Sequence, residues 1–282
     1  MKARIHPLVP VVGCAALMVG GLGWLLAGLR WPPADRQSDN LLEMLQANPA
    51  AGRPGRFAAP PPRVEAWQSP MATLCPGVDR DLVARMSRLR LHQRRIRTDP
   101  SNYGERFLRD AFGNRVDPTP RVVVLHETVF GIGSAIATFL TPHPRDEDQV
   151  SYHTLVGQNG EVVQVLDPSK RAFGAGNSAF RGQWVITNPK IAGSINNFSL
   201  HISLETPLDG ENDAAGHSGY SSDQYDAMAL VVAGWMRAYP IPWENITTHR
   251  HVDLGGERAD PRSFDWTALK SRLIALGAVS SC

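Results

Sequence analysis

Arg121-Val122-Val123-Val124-Leu125-His126 decides how this chain folds. Four unbroken apolar residues, three of them β-branched, make a strand that is covered on both faces. The run closes on a histidine, which at the end of a buried strand is either a satisfied structural imidazole or a ligand. A second short run, Ile246-Thr247-Thr248-His249, ends the same way, and Asp260 follows in Glu257-Arg258-Ala259-Asp260-Pro261. Two imidazoles, one carboxylate and a fourth position left to water form the donor set of a catalytic zinc, which lowers the pKa of its water to about 7. The pattern points to hydrolysis.

Working outward, residues 133–140 suggest a helix. Residues 150–156 and 161–166 flank Gln158-Asn159-Gly160, whose Asn-Gly step is a strong hairpin signal. Leu200, Ile202 and Leu204 alternate with His201, Ser203 and Glu205, which predicts a strand with one buried and one polar face. Ser221 with Gln224 three residues on forms a capping box, opening a helix with Tyr225, Met228, Val232 and Trp235 or Met236 along one face.

Seven pieces then occur in a telling order: VVVLHET, VSYHTLVGQNGEVVQV, KRAFGAGNSAF, NNFSLHISLE, YSSDQYDAMALVVAGWM, ITTHRHVD and RADPRSFDW. Together, over roughly residues 101–276, they resemble the zinc-dependent N-acetylmuramoyl-L-alanine amidases (amidase type 2), whose fold is shared with peptidoglycan-recognition proteins and phage lysozyme-type amidases. The resemblance implies an α/β domain with a single mixed β-sheet flanked by helices. It also implies Zn2+ as cofactor, a peptidoglycan or muropeptide substrate, a monomer, and cleavage of the amide between the muramic acid lactyl group and the L-alanine of the stem peptide. The same fold also serves as a non-catalytic peptidoglycan-binding module, the competing reading.

Residue by residue, the resemblance makes His126, His249 and Asp260 the metal ligands. His251, two residues past His249, takes the neighbouring motif position. The interval from His249 to Asp260 is one residue longer than the family pattern, an excess that falls in the loop Leu254-Gly255-Gly256. Arg258 stands where many members carry lysine, a fixed cation suited to a developing oxyanion, although its planar fork is not geometrically equivalent to an ammonium. Tyr152 matches a tyrosine whose hydroxyl donates to the same oxyanion. Phe173, Gly174, Asn177, Asn196 and Asn197 match loops that line the substrate groove. The departure lies at Ser203, which occupies the position of the family's general-base glutamate. Glu205, one strand step of about 6.6 Å further on, is the acid expected to take over as base. Glu127 directly follows a ligand and is expected to point away from it.

The rest of the 282-residue chain has a different character. Its 43% hydrophobic content suffices for one substantial core, and a net charge of +2 gives no electrostatic case for nucleic acid. Residues 8–29 are apolar and long enough, at about 33 Å as a helix, to cross a membrane. The segment 1–30 is thus expected to be an uncleaved membrane anchor or a signal segment, with the domain in the periplasm beyond the inner membrane or secreted. Residues 31–75 read as a Pro/Ala-rich linker with a short helix over 40–46. Residues 76–100 form a basic helical segment, with Leu82, Met86 and Leu89 at helical spacing. It either packs on the domain with solvated arginines or touches an anionic phospholipid or wall polymer. The catalytic domain is expected to span 101–279. Cys75 and Cys282 either bridge in an oxidising compartment or remain inert thiols.

Overall fold

The computed structural model describes residues 60–61 and 66–281. Its central sheet is built around β3 (Val122–Glu127), in which all six residues are buried, as the apolar run predicts. On one side β3 pairs in parallel with β7 (Ser199–Leu204), and on the other with β8 (Ile246–Thr248). Beyond β7 lie β4 (Thr154–Val156), parallel to it, then β5 (Val162–Gln164), antiparallel to β4, and β1 (Gln93–Arg95) at the edge. The sheet is therefore mixed, in the order β1-β5-β4-β7-β3-β8. A separate antiparallel ribbon joins β2 (Tyr103–Glu105) to β6 (Lys170–Ala172). The Asn159-Gly160 signal holds: Gly160 adopts φ of 78°, and its amide donates to the Gly157 carbonyl at 2.8 Å in the β4–β5 hairpin.

One face of the sheet packs on helices. Val123, Leu125, Leu200, Ile202, Leu204 and Ile246 meet Met86 of α1 (Arg80–Arg88), Met228 and Val232 of α3 (Ser222–Ala238), and Leu269 and Leu273 of α5 (Trp266–Ala275). The capping box of α3 forms as expected, with the Ser221 hydroxyl accepting from the Gln224 amide at 3.1 Å and the Gln224 side chain accepting from the Ser221 amide at 3.0 Å. On the opposite face, α2 (Ile132–Leu140) covers Leu155 and Val163 through Phe139, while loops bring Phe180, Ile195 and Phe198 against Val122 and Val124.

Two expectations change. The polar side of β7 is not in solvent: Ser199, His201 and Ser203 are as fully buried as their apolar neighbours. Loops on that face cover them, so the alternation marks a polar interior and not an outer surface. In the basic segment the helix stops at Arg88, and residues 93–95 become the outermost strand of the sheet. Arg85 is ion-paired with Asp226 at 2.8 Å and Arg94 with Glu161 at 2.7 Å, so this segment packs on the domain. Cys75 is disulfide-bonded, while Cys282 lies outside the described residues. So do residues 1–59, with the expected anchor and most of the linker; among the described residues no helix is long and apolar enough to cross a membrane.

Candidate metal centre

The carboxyl ends of β3 and β8 lie side by side in the parallel part of the sheet, the edge where such sheets place their ligands. His126 sits next to last in β3, on the face shared with Val122 and Val124, in register with Ser203 of β7. His249 follows β8 directly and begins the short helix α4 (His249–Val252), so the strand expected to end on it ends one residue earlier. Asp260 comes from the loop after α4, fastened where the Arg250 amide donates to the Asp260 carbonyl at 2.9 Å. Its carboxylate lies 3.1 Å from His126 Nδ1 and 3.0 Å from His249 Nδ1. One donor atom from each of the three lies within 4.8 Å of the other two. His251 packs instead against Trp67, at 4.3 Å between ring centroids with the planes tilted by 53°. Of the two histidines, His249 is therefore the one that joins His126 and Asp260.

Two imidazole nitrogens and one carboxylate oxygen suit zinc with one position left for water or substrate. The environment agrees. Burial drives the His126 pKa down to about 4, so its ring is neutral and able to ligate at neutral pH. Burial pushes the Asp260 carboxyl up, but the interactions with His126 and His249 outweigh this and hold it below the usual carboxylate range. An ionised Asp260 carboxylate beside the neutral His126 ring is the state a divalent cation needs.

Two clefts meet at this cluster. The larger, of about 810 Å³, runs past Phe107, Tyr152, Arg171, Phe173, Asn196 and His249. The smaller, of about 320 Å³, is lined by Glu127, Asn212, Asp260 and Arg262 among others. Tyr152, His249 and Arg258 belong to both. Tyr152 stacks on the His126 ring at 4.3 Å and 24°, and meets Phe139 edge-on at 5.6 Å. Burial raises the tyrosine pKa, so its hydroxyl stays a donor. Arg258 is exposed at the junction of the clefts, and its backbone amide donates to Asp253 at 3.1 Å.

A sequence profile of the N-acetylmuramoyl-L-alanine amidase family matches residues 116–263, just over half of the chain. The chain belongs to this family. Among curated relatives, the 1,6-anhydro-N-acetylmuramyl-L-alanine amidase AmpD of Escherichia coli (strain K12) is 32% identical over 124 residues, covering 43% of this chain and 57% of the relative. The protein of the same name from Salmonella typhimurium (strain LT2) is 30% identical over 130 residues, covering 46% and 60%. The chain thus spans about 60% or less of the length of these relatives. Among solved structures, a selenomethionine derivative of AmpD aligns with a TM-score of 0.47 and 25% identity, over 64% of this chain and 94% of that one. The amidase AmiD from E. coli, in complex with anhydro-N-acetylmuramic acid-L-Ala-D-gamma-Glu-L-Lys, aligns with a TM-score of 0.42 and 24% identity, over 54% and 57%.

Within the amidase domain several expected residues do other work. Both Glu205 oxygens are engaged at 2.8 Å by backbone amides, Oε1 by Ile132 and Oε2 by Gln158, and the side chain lines neither cleft at the metal cluster. These contacts make it an anchor for α2 and the β4–β5 hairpin, held away from the metal cluster. Ser203 is fully buried and its hydroxyl has no protein partner. Phe173, Gly174, Asn177 and Asn196 line the larger cleft as expected. Asn197 does not: it is buried, with its side chain bonded to both the amide (2.7 Å) and the carbonyl (2.9 Å) of Phe107. Glu127 does turn from the His126 side of β3, yet it also lines the smaller cleft and accepts from Tyr220, His217 and Arg262.

Beneath the site lies a buried histidine row that no sequence motif marks. His201 Nδ1 lies 2.9 Å from His126 Nε2, and His201 Nε2 lies 2.8 Å from the Ser199 hydroxyl. His153 stacks parallel to His201 at 5.9 Å and accepts the His201 backbone N–H at 3.0 Å. The sequence alternation shows only that His201 shares a strand face with Ser203; the register that sets Ser203 beside His126 exists only in the folded sheet.

Proposed function

We propose that this chain is a zinc-dependent amidase that hydrolyses the bond between the lactyl group of N-acetylmuramic acid and the L-alanine of the stem peptide. The observation that carries this reading is the convergence of His126, His249 and Asp260 where two clefts meet. Bound there, zinc would supply a water ionising near neutral pH and polarise the scissile carbonyl. The chain's own residues do the rest. Phe173, Asn177 and Asn196 hold the glycopeptide in the larger cleft, bringing the scissile amide to His249. Tyr152, kept protonated and packed against His126 and Phe139, donates to the oxyanion as it forms. Arg258 offers a positive charge from the cleft junction to the same oxygen. The relatives named for 1,6-anhydro-muramyl substrates make anhydro-muropeptides the first substrates to try.

The apolar residues 8–29 support an envelope location, with the domain facing the periplasm from an inner-membrane anchor or released by cleavage. Mass spectrometry of muropeptides incubated with zinc-loaded protein, beside metal analysis of the same sample, tests the activity. About one zinc per chain and free stem peptide are expected; full zinc occupancy with intact substrate across several wall types would refute turnover. Ser203, in place of a base, favours a second reading, a non-catalytic wall-binding module. Equal pull-down of wild type and His126→Ala on insoluble peptidoglycan, with no product from either, would select it.

A further inference from the structure

We propose that His201 is a positioning residue for the metal centre: it accepts the Nε2 proton of His126 and thereby keeps His126 Nδ1 free and aimed at the ion. The proposal rests on the zinc reading of His126, His249 and Asp260 and extends it to a residue that touches neither the ion nor the clefts.

His126 presents Nδ1 to Asp260 and Nε2 to His201. A ligating nitrogen carries no proton, so a neutral His126 bound through Nδ1 carries its proton on Nε2. That proton needs an acceptor, since both rings are fully buried. His201 Nδ1 is in place at 2.9 Å. A neutral His201 that accepts there must donate from Nε2, and the Ser199 hydroxyl waits at 2.8 Å. Ser199 in turn donates to the Ile195 carbonyl at 2.9 Å. The row ends on a backbone oxygen, so with Nδ1 engaged by a cation every proton in it has a partner.

A second, independent observation shows that the ring is accommodated by design of the surrounding backbone. A Cβ placed on Gly174 would lie only 2.7 Å from His201 Cγ and 2.9 Å from Cε1, far inside contact distance. Any larger residue at 174 would displace the imidazole. From the other side, the parallel ring of His153 and its bond to the His201 backbone fix the strand position from which the ring projects. Glycine at 174 and histidine at 201 therefore form a fitted pair, and the histidine lies against a ligand.

The test is zinc affinity of the purified chain by competition with a fluorescent chelator, with melting of the metal-free protein as the check on folding. His201→Phe fills most of the same volume but removes the acceptor, and should weaken zinc binding roughly 10–100-fold. His201→Asn places its side-chain oxygen close to where Nδ1 stood and should stay within about 3-fold of wild type. Gly174→Ala, which pushes the ring aside, should weaken binding in the same direction as His201→Phe. In zinc-loaded wild type, nitrogen-15 NMR should find His126 protonated at Nε2. A folded His201→Phe with wild-type affinity, or His201→Asn as weak as His201→Phe, would overturn the positioning role while leaving the metal site intact. A wild type that binds no zinc would overturn both readings together.

Discussion

Glu127 and Arg262 are locked to each other between the end of β3 and the loop that carries Asp260. The carboxylate accepts from the guanidinium Nε and, at 3.1 Å, from the Arg262 backbone amide. The remaining guanidinium nitrogens donate to the carbonyls of Asn212 and Ala214 at 2.8 Å and of Gly210 at 2.6 Å. Arg262 lies two residues beyond Asp260 and Glu127 one residue beyond His126, so this pair ties the loop that carries Asp260 to the strand that carries His126. Both side chains are nearly buried, at 10% and 6% exposed. Removing one partner strands the other's charge, which costs about 3–5 kcal/mol in such settings. Glu127→Gln should therefore lower stability by that order and weaken zinc binding about tenfold or more through a loosened Asp260. Chemical denaturation and chelator competition read the two effects separately. Unchanged zinc affinity in a destabilised variant would show that the loop holds Asp260 without the clamp.

Tyr152 separates packing from chemistry cleanly. Its ring stacks on His126 and meets Phe139 edge-on, contacts that phenylalanine would keep. Tyr152→Phe should leave melting temperature and zinc content unchanged while lowering kcat roughly 100–1000-fold, the range for one oxyanion donor. An equal loss in zinc affinity would reassign the tyrosine to holding His126.

The buried histidines predict acid sensitivity of the metal-stripped protein. Burial lowers the His126 pKa to about 4 and that of His153 to about 3, and holds His201 well below its ordinary range. In the unfolded chain each would titrate near 6.5. Above that pH both states are neutral, and the stability from these rings is fully present. As pH falls from about 6.5 toward 4, the unfolded chain takes up protons that the folded one refuses. Stability should then decline by up to roughly 4 kcal/mol per pH unit if all three rings stay neutral. Asp260, whose carboxyl is held low, acts in the same sense only below about pH 4. Urea midpoints at pH 7.5, 6.0 and 5.0 would reveal the slope, and a flat profile would mean that the rings charge within the fold.

What was legible in the sequence follows from the range of each signal. Local signals transferred well: the apolar run of β3, the Asn159-Gly160 turn and the Ser221–Gln224 cap each act within a few residues. The grouping of His126, His249 and Asp260 was legible because their order in the chain matches a known pattern, and the structure brings the three side chains together. Residues 89–97 misled because helical spacing of Leu82, Met86 and Leu89 says nothing about where the helix stops. Pairing with β5, distant in sequence, makes 93–95 a strand. The polar side of β7 misled for a similar reason, since alternation shows that a face is polar but not whether loops cover it. His201 and the Glu127–Arg262 clamp depend on contacts across 75 and 135 residues, beyond any local pattern.

Glu205 provides the sharpest separation of a structural carboxylate from a catalytic one. Gly131 precedes α2 and offers no capping side chain, so the first amide of that helix, on Ile132, is satisfied from outside by Glu205. The other oxygen accepts from Gln158, tying the β4–β5 hairpin to the same point. A carboxylate at a helix N-terminus also gains about 0.3–1 kcal/mol from the helix dipole. Glu205→Gln keeps one acceptor but loses the charge and the second amide contact, and should cost about 1–3 kcal/mol of stability. Its kcat, measured on folded and zinc-saturated protein, should remain within about 3-fold of wild type. Ser203→Ala is the companion measurement: deleting a buried hydroxyl without a partner should be neutral or slightly stabilising, with no change in rate. If Glu205→Gln instead melts like wild type and loses about 100-fold in kcat, the carboxylate leaves its anchoring contacts during turnover and serves as the base.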